Sequence, residues 1–304
     1  MKVLITGGAG YIGSELLYGL SKNTSVEEIV LYDNFSKANY NLFVGLRKLP
    51  SKKIKVVEAD ILDTRTLQKS LQGVDVVYHL AALVKTPFTD VNPHYFEQIN
   101  NWGTAQLVDA IEQSSSVKKL INVSSVSVYG ANSIVRDEHE VPQPKTAYGI
   151  SKLRGEKHLI RLKNKIEVYN LRFGNVFGYS KNLRIDAVVN KMMFNAHFHR
   201  LVQIHGNGEQ KRAFLNMESA IAVLEYFTEN SLPSETYNVV EYNYSINEVV
   251  EHIRSLYPDL EFIYVNQDVV MRSLEVKASE QISQILSPIP FKDALGKFKE
   301  MFTF

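Results

Sequence analysis

The chain opens on a β-branched run, "KVLIT" (Lys2 to Thr6), that passes directly into a glycine-rich turn, "GGAGYIGS" (Gly7 to Ser14), and then into an amphipathic stretch ending at Lys22. Few architectures accept that succession. Glycines at Gly7, Gly10 and Gly13 let backbone approach a pyrophosphate and let a helix pack closely on a sheet, while the helix N-terminus faces the negative charge. A glycine triplet alone is weak, because glycine turns are common; the strand before it and the helix after it make it informative.

The rhythm continues. "EIVLY" (Glu28 to Tyr32), "IKVVE" (Ile54 to Glu58), "VDVVYHL" (Val74 to Leu80), "KKLINVSS" (Lys118 to Ser125) and "IEVYNLRF" (Ile166 to Phe173) read as further strands. They are apolar on both faces, as strands buried between two helix layers must be. Tyr11 to Lys22, Thr64 to Leu71, Pro93 to Gln113 and Thr146 to Lys163 read as helices. The expected fold class is α/β: a Rossmann-type doubly wound parallel sheet with ligands at the carboxyl ends of its strands. After about Gly178 the alternation breaks. A helix over Ile185 to His199, a glycine-containing loop over His205 to Arg212, a helix over Met217 to Thr228, a strand over Thr236 to Val240 and a helix near Asn247 to Tyr257 follow. The predicted organisation is a dinucleotide-binding domain over 1–177, to which the chain returns around 212–240, and a smaller substrate-binding domain over 178–304.

An acid stands where a dinucleotide site needs one. Asp33 lies twenty residues after Gly13, at the end of the second strand. A carboxylate there accepts hydrogen bonds from an adenosine ribose and repels a 2′-phosphate, so the expected cofactor is NAD and not NADP. The plainer alternative is that Asp33 only starts the turn "DNFS". Asp60, after the third strand, has the same two readings: it faces the adenine or caps the next helix.

Composition narrows the partners. With 34 basic and 33 acidic side chains the net charge is +1, so no global field recruits nucleic acid or a membrane surface. The pairs Lys52-Lys53 and Lys118-Lys119 read as solvated loop ends. There is no cysteine, which removes disulfides, thiolate metal sites and cysteine nucleophiles, and fits a cytoplasmic location. No apolar run approaches the ~18 residues of a spanning helix. "MKVLIT" reads as a strand from the outset, leaving no room for a signal peptide.

Two pentapeptides, "YGLSK" (Tyr18 to Lys22) and "YGISK" (Tyr148 to Lys152), place a phenol and an ammonium four residues apart on one helix face. A phenol with a reference pKa of about 10 is a poor base at neutral pH, and a nearby positive charge favours the phenolate. Only the second pentapeptide follows a strand that ends in serine, within "NVSSVSVYG" (Asn122 to Gly130). There Ser125 is placed to hold a substrate oxygen while Tyr148 moves its proton. Tyr18 stands about 10 Å along the first helix from its phosphate-facing end, away from any reacting carbon.

These anchors resemble the extended short-chain dehydrogenase/reductases, in the nucleotide-sugar epimerase/dehydratase branch, nearly end to end. They are "TGGAGYIGS", Asp33, "HLAA" (His79 to Ala82), "NNWGT" (Asn100 to Thr104), "VSSVSVYG", "YGISK" and "LRFGNVFG" (Leu171 to Gly178), in family order. The resemblance implies a catalytic triad of Ser125, Tyr148 and Lys152. It implies NAD contacts from Gly7, Gly10, Tyr11, Ile12, Gly13, Asp33, Asn34, Asp60, Ile61, Leu80, Ala81, Ala82, Asn100, Tyr148, Lys152 and Phe173. Asn100 matches a helix-distorting asparagine that positions water near the lysine. Ser125, Asn175, Arg212 and Arg272 match substrate contacts, the last three to a diphosphate. No metal is implied.

Departures narrow the reaction. The family's 4,6-dehydratases carry an acid just after the catalytic serine or threonine; here stand Val126 and Ser127, which cannot supply acid and base for water elimination. Reductases of the branch that epimerise neighbouring carbons use a cysteine. The expected activity is therefore that of an NAD-dependent nucleotide-sugar epimerase, acting at C4 on a UDP-sugar in the manner of UDP-glucose 4-epimerases. The alternatives are a reductase or dehydratase of a nucleotide-linked keto sugar or other carbonyl compound, and a non-catalytic NAD-binding protein. The substrate half departs further: "RAFLNMES" (Arg212 to Ser219) has Ala213, Asn216 and Met217 where acids and other residues are usual, Val240 replaces a glycine, and Lys277 replaces an acid. His197 and His199 of "HFH" point to different helix faces and read as packing, His79 as a buried strand end, and Trp102 as a packing anchor. The long helices Pro93 to Gln113 and Thr146 to Lys163 match a family dimer interface, so a homodimer is the default.

Overall fold

The computed structural model describes residues 1–50, 53–84, 92–131, 134–266 and 272–304; Lys52 therefore lies outside the described residues. In chain order, β1 (Lys2–Thr6) leads into α1 (Tyr11–Lys22) and β2 (Glu28–Asp33), and then come β3 (Ile54–Glu58), α2 (Thr64–Ser70) and β4 (Val76–His79). The chain continues with α3 (Pro93–Phe96), a wide π-helical turn over Glu97–Trp102, α4 (Gly103–Glu112) and β5 (Lys119–Ser125), which ends in a 3-10 turn over Val126–Tyr129. There follow α5 (Ala147–His158), β6 (Glu167–Phe173), β7 (Asn175–Phe177), α6 (Val188–His199), β8 (Leu201–His205), β9 (Lys211–Asn216), α7 (Met217–Glu229) and β10 (Thr236–Val239). The last elements are β11 (Tyr242–Ser245), α8 (Ile246–Arg254), β12 (Glu261–Val265), α9 (Glu280–Ile285) and α10 (Phe291–Lys299).

Seven strands form one sheet in the order β10-β6-β5-β4-β1-β2-β3, and each neighbouring pair is parallel. From β1 the chain winds outward through β2 and β3, then returns to β4 and winds the other way. That reversal opens a crevice at the carboxyl ends of β1 and β4, where the glycine turn and "HLAA" lie. Val3, Leu4 and Ile5 of β1 are fully buried, since helices cover both faces of the central strands. β3 is the exception: it is the edge strand, and its side chains are half-exposed to exposed, so the expectation of two apolar faces fails there.

The second half carries more strands than its pattern suggested. β7, β9 and β11 make a three-stranded sheet, and β8 and β12 pair in parallel. These strands are three to six residues long, too short for a periodic signal. They surround a separate apolar cluster with Phe177, Met193, Phe214, Ile253 and Phe291, backed by α6, α8 and α10. α8 starts on a capping box in which Ser245 and Glu248 satisfy each other's backbone amides. The loop expected over His205 to Arg212 ends early, because Lys211 already belongs to β9. The helix expected near Asn247 to Tyr257 is Ile246–Arg254. The single helix expected over Pro93 to Gln113 is interrupted by the π-helical turn.

Candidate active site

The glycine turn is shaped for close approach. Gly7 has φ +71, and a Cβ there would stand 2.6 Å from the Ala81 nitrogen at the end of β4. A Cβ on Gly13 would stand 2.3 Å from the Gly7 carbonyl oxygen. Gly10 caps α1 with no side-chain hydrogen bond, and no acid occupies the first turn, so the positive helix end is left to a ligand. Asp33 starts the turn and also ties it to the glycine loop. Oδ1 accepts from the Phe35 amide at 2.8 Å, forming the turn, while Oδ2 accepts from the Ala9 amide of the glycine loop at 3.0 Å. Burial raises its pKa against those backbone bonds. These features fit a dinucleotide.

The flanking residues divide. Asn34 donates to the Asp60 carboxylate at 2.9 Å, joining two residues expected beside the adenosine. Asp60 does not cap the next helix; Asp63 does, accepting from the Thr66 amide at 3.0 Å. The Ile61 and Phe173 side chains are buried in the apolar core. The Tyr11 hydroxyl is already engaged within the chain: it donates to the Gly178 carbonyl at 2.7 Å and accepts from Asn190 at 3.0 Å, and burial raises its pKa. The segment after Gly178 also clamps the glycine turn, with Asn182 donating to the Ala9 carbonyl at 2.8 Å and Ser180 to the Tyr11 carbonyl at 2.7 Å.

Behind the crevice a buried relay fixes the π-helical turn. His79 bonds Thr6 Oγ1 through Nδ1 at 2.8 Å and Thr104 Oγ1 through Nε2 at 2.9 Å. Thr104 spends its single proton on the Asn100 carbonyl at 2.8 Å, so it must accept from His79, which sets the Nε2–H tautomer. Burial, helped by the charge of Lys152, holds the imidazole neutral with a pKa of about 3. Asn100 then clasps Leu83, accepting from its amide at 2.7 Å and donating to its carbonyl at 3.0 Å, and also donates to Ser151 at 3.0 Å. Trp102, in the same turn, is 58% exposed and is no packing anchor within this chain.

The three triad residues come from two elements. Ser125 ends β5 and accepts from the Ser127 amide at 3.2 Å. Thr146 caps α5, accepting from the Gly149 amide at 3.0 Å, which puts Tyr148 in the first helical turn and Lys152 one turn on. Burial raises the Tyr148 pKa, opposed by a hydrogen bond with Ser125 and by the charge of Arg184. Arg184 lies in the loop before α6 and also acts on Tyr11; sequence reasoning missed it, since a lone arginine in an irregular loop carries no pattern. The Lys152 ammonium does not bond Tyr148. It donates to the Val123 carbonyl at 2.7 Å, and burial brings its pKa down to about 8, with Glu156 partly restoring it. Glu156 is itself paired with Arg172 at 2.7 Å, both buried, and accepts from Ser124.

Three of the expected substrate residues lie beside one another. Asn175 donates to the Ala213 carbonyl at 3.0 Å, and Arg212 Nη1 donates to the Arg272 carbonyl at 2.8 Å. Arg272 itself is exposed, and burial lowers the pKa of Arg212. His197 bonds the Tyr257 hydroxyl at 2.9 Å and the Phe304 carbonyl at 2.6 Å, a packing role. Among the described residues no cluster of histidine and acidic side chains could hold a metal.

A sequence model of the NAD dependent epimerase/dehydratase family matches residues 3–240, and the chain belongs to that family. It is an NAD-dependent enzyme of the extended short-chain dehydrogenase/reductase fold. A protein of Methanocaldococcus jannaschii provisionally named UDP-glucose 4-epimerase is 31% identical over 223 residues, covering 70% of this chain and 68% of its own. The human dTDP-D-glucose 4,6-dehydratase is 29% identical over 245 residues, covering 78% of this chain and 68% of its own. The UDP-glucuronic acid 4-epimerase of Bacillus cereus, solved with UDP-glucuronic acid and NAD, superposes with a TM-score of 0.83 at 26% identity over 99% of this chain and 98% of that one.

Proposed function

We propose that the protein is an NAD-dependent 4-epimerase of a UDP-sugar. The observation that carries this reading is the surroundings of Ser125 and Tyr148. The next residue, Val126, is sealed into an apolar cluster with Val128, Ala213 and Leu274, and Ser127 follows it. Neither residue offers the carboxylate that eliminating water needs, and the groups that act on Tyr148 are Ser125 and Arg184. The naming of the M. jannaschii and B. cereus proteins as 4-epimerases supports the same choice.

In this reading Ser125 holds the sugar C4 oxygen, and Tyr148 takes its proton and later returns it. Lys152, fixed on Val123, would help hold the cofactor, and Asn175, Arg212 and Arg272 would hold the diphosphate. The remaining expected residues, from Gly7 to Phe173, serve NAD. When bound, NAD supplies the group that accepts the C4 hydride and returns it to the other face. The division into a cofactor domain and a smaller substrate domain belongs to the same proposal. So does a homodimer: Trp102, Tyr95 and Ile160 expose 58%, 57% and 66% of their surface on or beside α3, α4 and α5. A cytoplasmic setting is supported by the absence of cysteine, and among the described residues no helix is long and apolar enough to cross a membrane.

The test incubates the protein with NAD and a panel of UDP-, dTDP-, GDP- and CDP-sugars and reads products by NMR. Inversion at C4 with no change in the NAD/NADH ratio is expected. Stoichiometric NADH consumption would make the protein a reductase, and a deoxy keto sugar would make it a dehydratase.

A further inference from the structure

Between Asp33 and Glu58 the sequence carries six cations, Lys37, Arg47, Lys48, Lys52, Lys53 and Lys55, and no acid, in a chain whose net charge is only +1. The near-neutral total therefore hides a local field. In the same stretch Tyr40, Phe43, Val44 and Leu46 stand exposed, Leu46 over 100% of its surface. Single exposed hydrophobic side chains are ordinary, but four within seven residues make a patch, and patches mark contact sites. The loop that carries them is held in place. Phe35 and Leu42 are buried in the main core. Arg47 Nη1 pairs with Glu15 at 2.6 Å, and Asn182 donates to the Asn39 carbonyl at 3.4 Å. The turn at 44–46 stands out between these anchors, with Gly45 at φ +97. Lys37 and Lys48 bracket the apolar residues in sequence; both are exposed and make no ion pair among the described residues. Lys181 comes up to the same turn, its Nζ only 2.7 Å from where a Cβ on Gly45 would stand.

The chemistry of the patch selects its partner. Lysine is depleted at protein–protein contacts, where arginine and aromatic anchors dominate. A nucleic acid asks for free aromatic faces and uncommitted guanidinium groups. Here Tyr40 is stacked on Phe35 at 5.3 Å, and Arg47 is spent on Glu15 and on the Tyr18 ring. Aliphatic tips among lysines are instead the composition of segments that lie in the boundary layer of a bilayer. There the tips enter the acyl region while ammonium groups meet anionic headgroups, and neither signal suffices alone. We propose that the loop over 37–48 docks the enzyme peripherally on an anionic lipid surface, with Phe43, Val44 and Leu46 inserted and Lys37 and Lys48 on the headgroups. Ser125 and Tyr148 take no part in this contact, so it does not depend on the epimerase reading.

Co-sedimentation of the full chain with vesicles tests it, using phosphatidylcholine alone and phosphatidylcholine with about a third phosphatidylglycerol. Saturable binding to the anionic vesicles is expected, with little to the neutral ones and release at ~1 M salt. Leu46→Ser should weaken binding about tenfold, and Lys37→Gln with Lys48→Gln should weaken it by more than about tenfold. Both variants change only exposed side chains, so their melting temperatures should match wild type. No binding to anionic vesicles, or affinities within about twofold of wild type in both variants, would overturn the proposal. Binding of single-stranded polyuridine without vesicle binding would overturn it in favour of a nucleic acid. Self-association that Leu46→Ser abolishes, again without vesicle binding, would overturn it in favour of a second copy of the chain. Failure of the sugar-nucleotide panel would leave the sedimentation unaffected, so the two readings fail separately.

Discussion

The molecule contains the same pentapeptide pattern twice, and the two copies behave oppositely. In α1 two cations lie over the Tyr18 ring, Lys22 Nζ 4.0 Å and Arg47 Cζ 3.3 Å from its centroid. A hydrogen bond from Lys22, with help from Arg47, lowers the Tyr18 pKa. In α5 the tyrosine is raised by burial and its lysine turns away to the Val123 carbonyl. The copy with the better-activated phenol thus lies away from Ser125, beside Arg47 and its Glu15 ion pair, where it fastens the segment around Arg47 onto α1. Spacing alone delivers the ammonium to the phenol on a solvated helix face. At the crevice the Val123 carbonyl takes the Lys152 ammonium, and Glu156 acts on it only through its charge. Within the chain Tyr148 has only the Ser125 hydrogen bond and the charge of Arg184 against its burial, so in the proposed reaction the bound cofactor would supply the further positive charge.

The largest expected contrast is catalytic. Tyr148→Phe should lower kcat by about 10²–10⁴-fold, the range for losing a general acid–base group, whereas Tyr18→Phe should leave steady-state rates within about twofold. Next is stability. Glu156→Gln strips a buried guanidinium of its partner and should cost about 3–5 kcal/mol in urea unfolding, against at most about 1 kcal/mol for Lys22→Ala, which removes one exposed cation–π contact.

A third contrast concerns pH. Burial brings Lys152 down to about 8 while Glu156 pulls upward. If its ammonium holds the cofactor, NAD affinity should be flat below that value and fall about tenfold per unit above it as the proton is lost. Removing Glu156 removes the upward pull, so the falling limb should move to lower pH in folded Glu156→Gln, while Lys22→Ala leaves it in place. Fluorescence titration of NAD across pH reads both. The smallest effect belongs to Arg47→Ala, which should return Tyr18 part of the way toward the reference pKa of about 10 with little change in melting temperature.

Much of the cofactor half was legible because its physics is periodic. Buried parallel strands are continuously apolar, and the glycine turn has one spacing that fits. Asn100, Asp33 and the strand-end Ser125 stand at positions set by that framework. Arg184 and Asn182 were illegible: each is a single polar side chain in irregular backbone, and its importance lies in what the fold places opposite it. The drift in the substrate half becomes intelligible only in three dimensions. Ala213 and Val240, standing where an acid and a glycine are usual, pack into one apolar cluster with Leu274 and Val276, and Asn216 caps α7 by accepting from the Glu218 amide at 3.1 Å. The direction of Lys152 was equally hidden, since the spacing that unites Tyr18 with Lys22 is the same spacing.

The most direct measurement is a tyrosinate difference titration of wild type against Tyr148→Phe and Tyr18→Phe, with and without NAD. In the free enzyme Tyr18 should ionise below, and Tyr148 above, the reference of about 10, and NAD should lower Tyr148 while leaving Tyr18 in place. A Tyr148 that already ionises below Tyr18 without NAD, or that NAD does not move, would contradict the dependence of this phenol on charge brought by the cofactor.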